Sequence, residues 1–109
     1  MATIFRNAII KDVGTKPIEV FQVGQNKKNI VLGISLTNIT DSTVLATILI
    51  SDEGSVTANY IKDVPIPPNT SLKVITNGEK LILPELTGLR IVSDVENSLD
   101  ATVSYVEIS

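Results

Sequence analysis

The segment Ile30-Val31-Leu32-Gly33-Ile34-Ser35-Leu36-Thr37-Asn38 carries a large apolar side chain at every second position. Successive side chains of an extended chain point to opposite sides, so a period of two marks a strand with one buried face. Ile30, Leu32, Ile34 and Leu36 are expected on the buried face and Gly33, Ser35 and Thr37 on the other. Just beyond, Ile39-Thr40-Asp41-Ser42 supplies short polar side chains that bond their own backbone in turns. Thr43 to Ser51 then sets Val44, Ala46, Ile48 and Ile50 against Leu45, Thr47 and Leu49, the pattern of a central strand covered on both faces. Together the two segments predict a hairpin.

The same rhythm extends outward in both directions. Toward the C-terminus, the loop Ser51-Asp52-Glu53-Gly54-Ser55 leads into an alternating strand from Val56 to Ile61. Pro65, Pro67 and Pro68 withhold backbone donors, which excludes helix and central-strand pairing and predicts an edge or a corner. Ser71 to Thr76, with Leu72 and Val74 inward, and Lys80 to Leu83 flank Asn77-Gly78, a dipeptide suited to a type I′ hairpin turn. Leu89 to Ser93 and Ala101 to Ile108 close the chain, separated by the polar run Asp94 to Ser98. Toward the N-terminus, Thr3 to Ile10 and Ile18 to Val23 read as strands joined by Asp12-Val13-Gly14-Thr15-Lys16-Pro17. The nearest approach to a helical pattern, Glu79 to Leu86, is interrupted by Pro84. The expected fold is all-β: one antiparallel β-sandwich over residues 1–109, jelly-roll or Ig-like, with about eight or nine strands.

Composition supports a folded domain and narrows its chemistry. The chain has 109 residues, 43% hydrophobic and 19% charged, enough apolar surface for one core and too little length for two. Net charge is −3, and the nine Lys and Arg residues are scattered, with Lys27 and Lys28 adjacent in a polar loop. Binding to nucleic acid through phosphate neutralisation is therefore not expected. The apolar run Val44 to Ile50 falls far short of a membrane-spanning helix, and the first residues lack the basic and apolar regions of a secretory signal. A soluble protein made in the cytoplasm is expected.

Cysteine, histidine and tryptophan are absent. Disulfides, thiolate or imidazole metal sites and serine–histidine relays are thereby excluded. The acidic groups Asp52-Glu53 and Asp94, Glu96 and Asp100 lack the spacing of an EF-hand loop and read as solvated loop acids. No catalytic, cofactor-binding or metal-ligating residue is assigned. The sparse aromatics, Phe5, Phe21, Tyr60 and Tyr105, are too few for a base-stacking or sugar-stacking platform and are expected as core or interface anchors.

The stretch Ala58-Asn59-Tyr60-Ile61-Lys62-Asp63-Val64-Pro65-Ile66-Pro67-Pro68-Asn69-Thr70-Ser71-Leu72 resembles a pattern in small structural proteins of tailed bacteriophages, a tyrosine-bearing strand running through a proline corner into an apolar strand. Met1 to Ala8, Ile34 to Thr40 and Val103 to Ile108 look like the corresponding stretches of such proteins, so the resemblance covers most of the chain. It implies a virion component, made in the host cytoplasm. Its role would be that of a capsid decoration or cement subunit that binds the major capsid protein and stabilises the particle, or a neck or tail part. No catalytic residue or cofactor comes with it. Association with further copies, as trimers or rings, is expected of so small a core. Tyr60, Lys62 and Arg90 are the candidate subunit contacts. A carbohydrate- or ligand-binding sandwich is the alternative, and the lack of tryptophan counts against it.

Overall fold

The computed structural model describes residues 2–52, 56–75 and 80–109. Among them the chain forms nine strands and no helix: β1 (Thr3–Val13), β2 (Ile18–Gln22), β3 (Lys28–Asn38), β4 (Val44–Ser51), β5 (Thr57–Ile66), β6 (Ser71–Lys73), β7 (Leu81–Leu83), β8 (Gly88–Ser93) and β9 (Leu99–Ile108). A five-stranded sheet has the order β1-β9-β3-β6, with β7 also on β3, and a four-stranded sheet has the order β2-β8-β4-β5. All pairings are antiparallel. Val31, Ile34, Leu36, Leu83, Leu99 and Val103 of the first sheet meet Val44, Ala46, Ile48, Ile66, Leu89 and Ile91 of the second in one buried core. Across that core the rings of Phe21 and Tyr105 pack with centroids 4.6 Å apart.

The pairing is nested. First strand pairs with last (β1 with β9), second with second-last (β2 with β8), β3 with the interrupted strand β6/β7, and β4 with β5. A chain folded into one long ribbon with its tip at β4–β5 and then rolled around the core gives this order. Of the two sandwiches expected, the jelly-roll is therefore the one formed.

Rolling also corrects two expected hairpins. β3 and β4 do not pair; they lie in opposite sheets, and the turn between them is a corner. β6 and β7 do not pair with each other either. Both run antiparallel along the same edge of β3, β6 on Ser35 to Thr37 and β7 on Asn29 to Val31. The Asn77-Gly78 turn expected between them lies outside the described residues, as do Met1 and residues 53–55.

A third correction concerns β3 itself. Its register against β9 shifts between Val31 and Gly33, so Leu32 is an extra residue in the ladder. On one side of this bulge Asn29 and Val31 point inward, and on the other Ile34, Leu36 and Asn38 do. Ile30 and Leu32, expected in the core, lie on the outer face instead. Strict alternation across the whole segment was broken by one residue, and a shift of one exchanges the faces. The prolines behave as expected: Pro65 lies in β5, an edge strand, opposite Leu45, and Pro67 and Pro68 turn the chain into the other sheet.

Candidate functional site

Chemistry-bearing side chains are dispersed. Among the described residues no group of three or more Asp and Glu side chains stands close enough to hold a metal ion. The acids expected in loops each cap a different backbone amide, and Asp100 lies in β9 rather than in a loop, half-buried. Asp94 Oδ1 accepts from Leu45 N at 2.8 Å, Asp100 Oδ1 from Asp12 N at 3.1 Å, and Asp52 Oδ1 from Val56 N at 3.2 Å. Glu96 accepts the hydroxyl and the backbone N–H of Thr15. These bonds, the hydroxyl first, hold its carboxyl below the ordinary glutamate value; burial opposes them, and the Lys16 charge adds a smaller pull. Asp94 ties its loop to β4, Asp100 ties β9 to β1, Glu96 ties two loops together, and Asp52 closes its own loop.

The conspicuous surface is the outer face of the five-stranded sheet. Register places Phe5 of β1 opposite Val106 of β9, Val106 opposite Ile30 of β3, and Ile30 opposite Ile82 of β7. Directly opposed residues share a face. The neighbouring positions Val31, Leu83 and Val103 belong to the core, so this row points away from it. Four apolar side chains thus cross the sheet on its solvent side. Phe5 is 76% exposed and Ile82 60% exposed, yet Val106 between them is only 8% exposed. Val106 is buried without belonging to the core cluster, covered by its neighbours on the outside of the sheet. Leu32, 40% exposed at the bulge, and Ile9, 82% exposed on β1, extend the apolar surface.

Beside the row the side chains on β9 and β3 become small. Asn7, Ser104 and Gly33 form the next row, and Ile9, Thr102, Ser35 and Lys73 the one after. Ser104 Oγ donates to Asn7 Oδ1 at 2.7 Å, and Thr37 and Ser71 share a hydroxyl contact of 2.8 Å. Where large residues give way to small ones the surface dips. One hollow of about 210 Å³ is lined by Phe5, Arg6, Asn7, Leu32, Ser104 and Tyr105. A second of about 220 Å³ shares Ser104 with it. Arg6 and Lys27 flank Glu107 at 3.6 and 3.7 Å at the end of the sheet. The face is therefore a largely uncharged, apolar ridge beside shallow hollows, a form suited to another protein surface.

The candidate subunit contacts Tyr60, Lys62 and Arg90 do not lie on this surface. Tyr60 is half-buried on β5 and packs against the core. Lys62 is exposed on the same edge strand, and Arg90 is exposed on β8, opposite Glu19 and Leu49. β4 separates β5 from β8, and both belong to the sheet remote from the apolar row. Of the aromatics, Phe21, Tyr60 and Tyr105 pack against the core and Phe5 is the exposed one. The signal for this face was present in Ile4-Phe5 and Ile9-Ile10, where a strand carries large apolar residues on both of its sides.

No protein-family model matches the chain, and no curated protein does. Among solved structures the chain is similar to one of the Bacillus endospore appendages, described as a novel family of disulfide-linked pili. The match has a TM-score of 0.57 at 8% sequence identity and covers 98% of this chain and 88% of that one. At this identity the likeness concerns the fold.

Proposed function

We propose that this chain is a structural subunit of a large protein assembly, working by packing rather than by chemistry. The observation that carries this reading is the cross-strand row Phe5, Val106, Ile30 and Ile82, an apolar ridge on the outside of a sandwich whose own core is already filled. Large apolar side chains aligned on a solvent face cost solubility, and binding to another protein surface offsets that cost. The finer form of the proposal is a decoration subunit on a tailed-bacteriophage capsid, with the ridge facing the major capsid protein; a neck or tail position uses the same surface. It rests on the sequence resemblance running through Ala58 to Leu72.

The likeness to the endospore appendage structure favours a second reading, a subunit of a filamentous surface appendage. This chain has no cysteine, so such a filament would be held without disulfides. Mass spectrometry and immunogold labelling of purified virions and of sheared surface filaments separate the two. Stoichiometric incorporation into virions, together with a raised melting temperature of undecorated capsids on adding the chain, supports the decoration role. Incorporation into filaments alone replaces it with the appendage role. Recovery only as free protein overturns the structural-subunit reading.

A further inference from the structure

Three of the four sheet edges carry features that discourage pairing with another strand. β2 is five residues long and its register is broken, β5 contains two register shifts and Pro65, and the edge along β3 is split between β6 and β7. Short, bulged, interrupted and proline-bearing edges are protected against addition of a further strand. β1 is not. From Thr3 to Ile10 it pairs with β9 without a bulge and contains neither proline nor glycine.

The ladder phase shows which backbone groups of β1 remain open. Ala2 N donates to Ser109 O and Ser109 N to Ala2 O, at 3.3 and 3.0 Å, so these two residues exchange both bonds. In an antiparallel pair that exchange recurs at every second residue. Ile4, Arg6, Ala8 and Ile10 therefore bond to β9, while Thr3, Phe5, Asn7 and Ile9 turn their N–H and C=O groups toward the free edge. β1 also has the same pattern read in either direction about Asn7: Ile4 and Phe5 on one side mirror Ile10 and Ile9 on the other, with Thr3 and Lys11 at the ends.

We propose that two copies of the chain pair through β1, antiparallel, about a two-fold axis at Asn7; the proposal deepens the structural-subunit reading and rests on it. In this register Phe5 faces the second copy's Ile9, Ile4 faces its Ile10, and Arg6 faces its Ala8. Moving the axis to Arg6 would oppose two guanidinium groups, and moving it to Ala8 would set Phe5 against Lys11, so charge and hydropathy select Asn7. The two Asn7 side chains meet on the outer face. Each Oδ1 already accepts from Ser104, which leaves the amide N–H groups to donate across the axis. The two five-stranded sheets become one, and the apolar row continues across the junction from Phe5 to the second copy's Ile9.

Sedimentation equilibrium on the full chain tests this with three variants. The unaltered protein sediments at twice the monomer mass. Asn7→Pro removes an N–H that points to the free edge, not to β9, and gives a folded monomer. Phe5→Lys and Ile9→Glu each weaken the dimer at least ~10-fold, and mixing them in equal amounts restores it by setting the lysine against the glutamate. Circular dichroism confirms that each variant retains its strands. A monomeric unaltered protein, a dimer indifferent to Asn7→Pro, or a mixture that stays dissociated overturns the proposal. A chain that is monomeric in solution yet stoichiometric in purified particles overturns the edge pairing and leaves the structural role standing. A dimer absent from every particle does the reverse.

Discussion

The side-chain amide of Asn38 donates to the backbone carbonyl of Ile66 at 2.9 Å, tying the end of β3 in one sheet to the end of β5 in the other. The same nitrogen reaches Ser42 O at 2.8 Å and Pro67 O at 3.2 Å, while Oδ1 accepts from the backbone N–H and the hydroxyl of Thr40, both at 2.8 Å. Asn38 is buried, so water cannot replace these bonds. One side chain holds both corners at this end of the sandwich, the β3–β4 crossing and the proline turn after β5.

Replacing Asn38 by Ala removes the buried bond to Ile66 O and the part-buried ones to Thr40, Ser42 and Pro67, and is expected to cost about 2–4 kcal/mol. Asn38→Asp should cost at least as much at neutral pH, because a carboxylate then faces the carbonyls of Ser42, Ile66 and Pro67. Urea unfolding monitored by circular dichroism measures both. A loss below about 1 kcal/mol for Ala would remove Asn38 from this role.

The bulge at Leu32 makes adjacent residues respond in opposite ways. Val31→Ala opens space in a filled core and is expected to cost about 2 kcal/mol. Leu32→Ala, on the outer face, should stay within about 1 kcal/mol. Uninterrupted alternation would reverse the two, so their order in a denaturant titration reads the register directly.

Glu96 gives part of the stability a pH dependence of known sign. Its carboxyl titrates below the ordinary value in the folded protein, chiefly through the Thr15 hydroxyl, so the unfolded chain binds its proton more readily. The stabilisation is present above the ordinary glutamate value and is lost as pH falls through the lowered one. Melting temperatures taken between about pH 2 and pH 7 should show a smaller acid-side drop for Glu96→Gln than for the unaltered protein. The loop around it is also tight: a Cβ on Gly14 would stand 2.8 Å from Glu96 Oε2, so Gly14→Ala should displace that carboxylate and reduce the drop too.

Nested pairing puts the most distant parts of the chain together, β1 with β9 and Ala2 with Ser109. Closing such long loops precedes the contacts that reward it, so refolding is expected in milliseconds to seconds rather than microseconds. Stopped-flow dilution from urea measures the rate. A microsecond phase carrying the full amplitude would contradict this topology as the limiting feature.

Local pattern was sufficient for the strands. The period of two in Ile34 to Thr37 and in Val44 to Ile50, the edge position of Pro65, and the closing strand to Ile108 all appear where the sequence places them. These depend on each residue's neighbours along the chain, and side-chain alternation is a property of a single extended segment. The absence of cysteine and histidine is equally a matter of sequence.

Partnership between strands was decided by the tertiary structure. Ile39-Thr40-Asp41-Ser42 has turn chemistry whether it closes a hairpin or crosses between sheets; Asn38 reaching Ile66, 28 residues away, selects the crossing. Leu32 belongs to the outer face because β9 leaves it no partner; within β3 the one local hint is the adjacent Gly33, since a glycine inside a strand often marks a bulge. Phe5, Val106, Ile30 and Ile82 come from four strands and become one ridge only through register. Strand periodicity is local, whereas register is set by contacts across the core, and the candidate surface exists only at that second level.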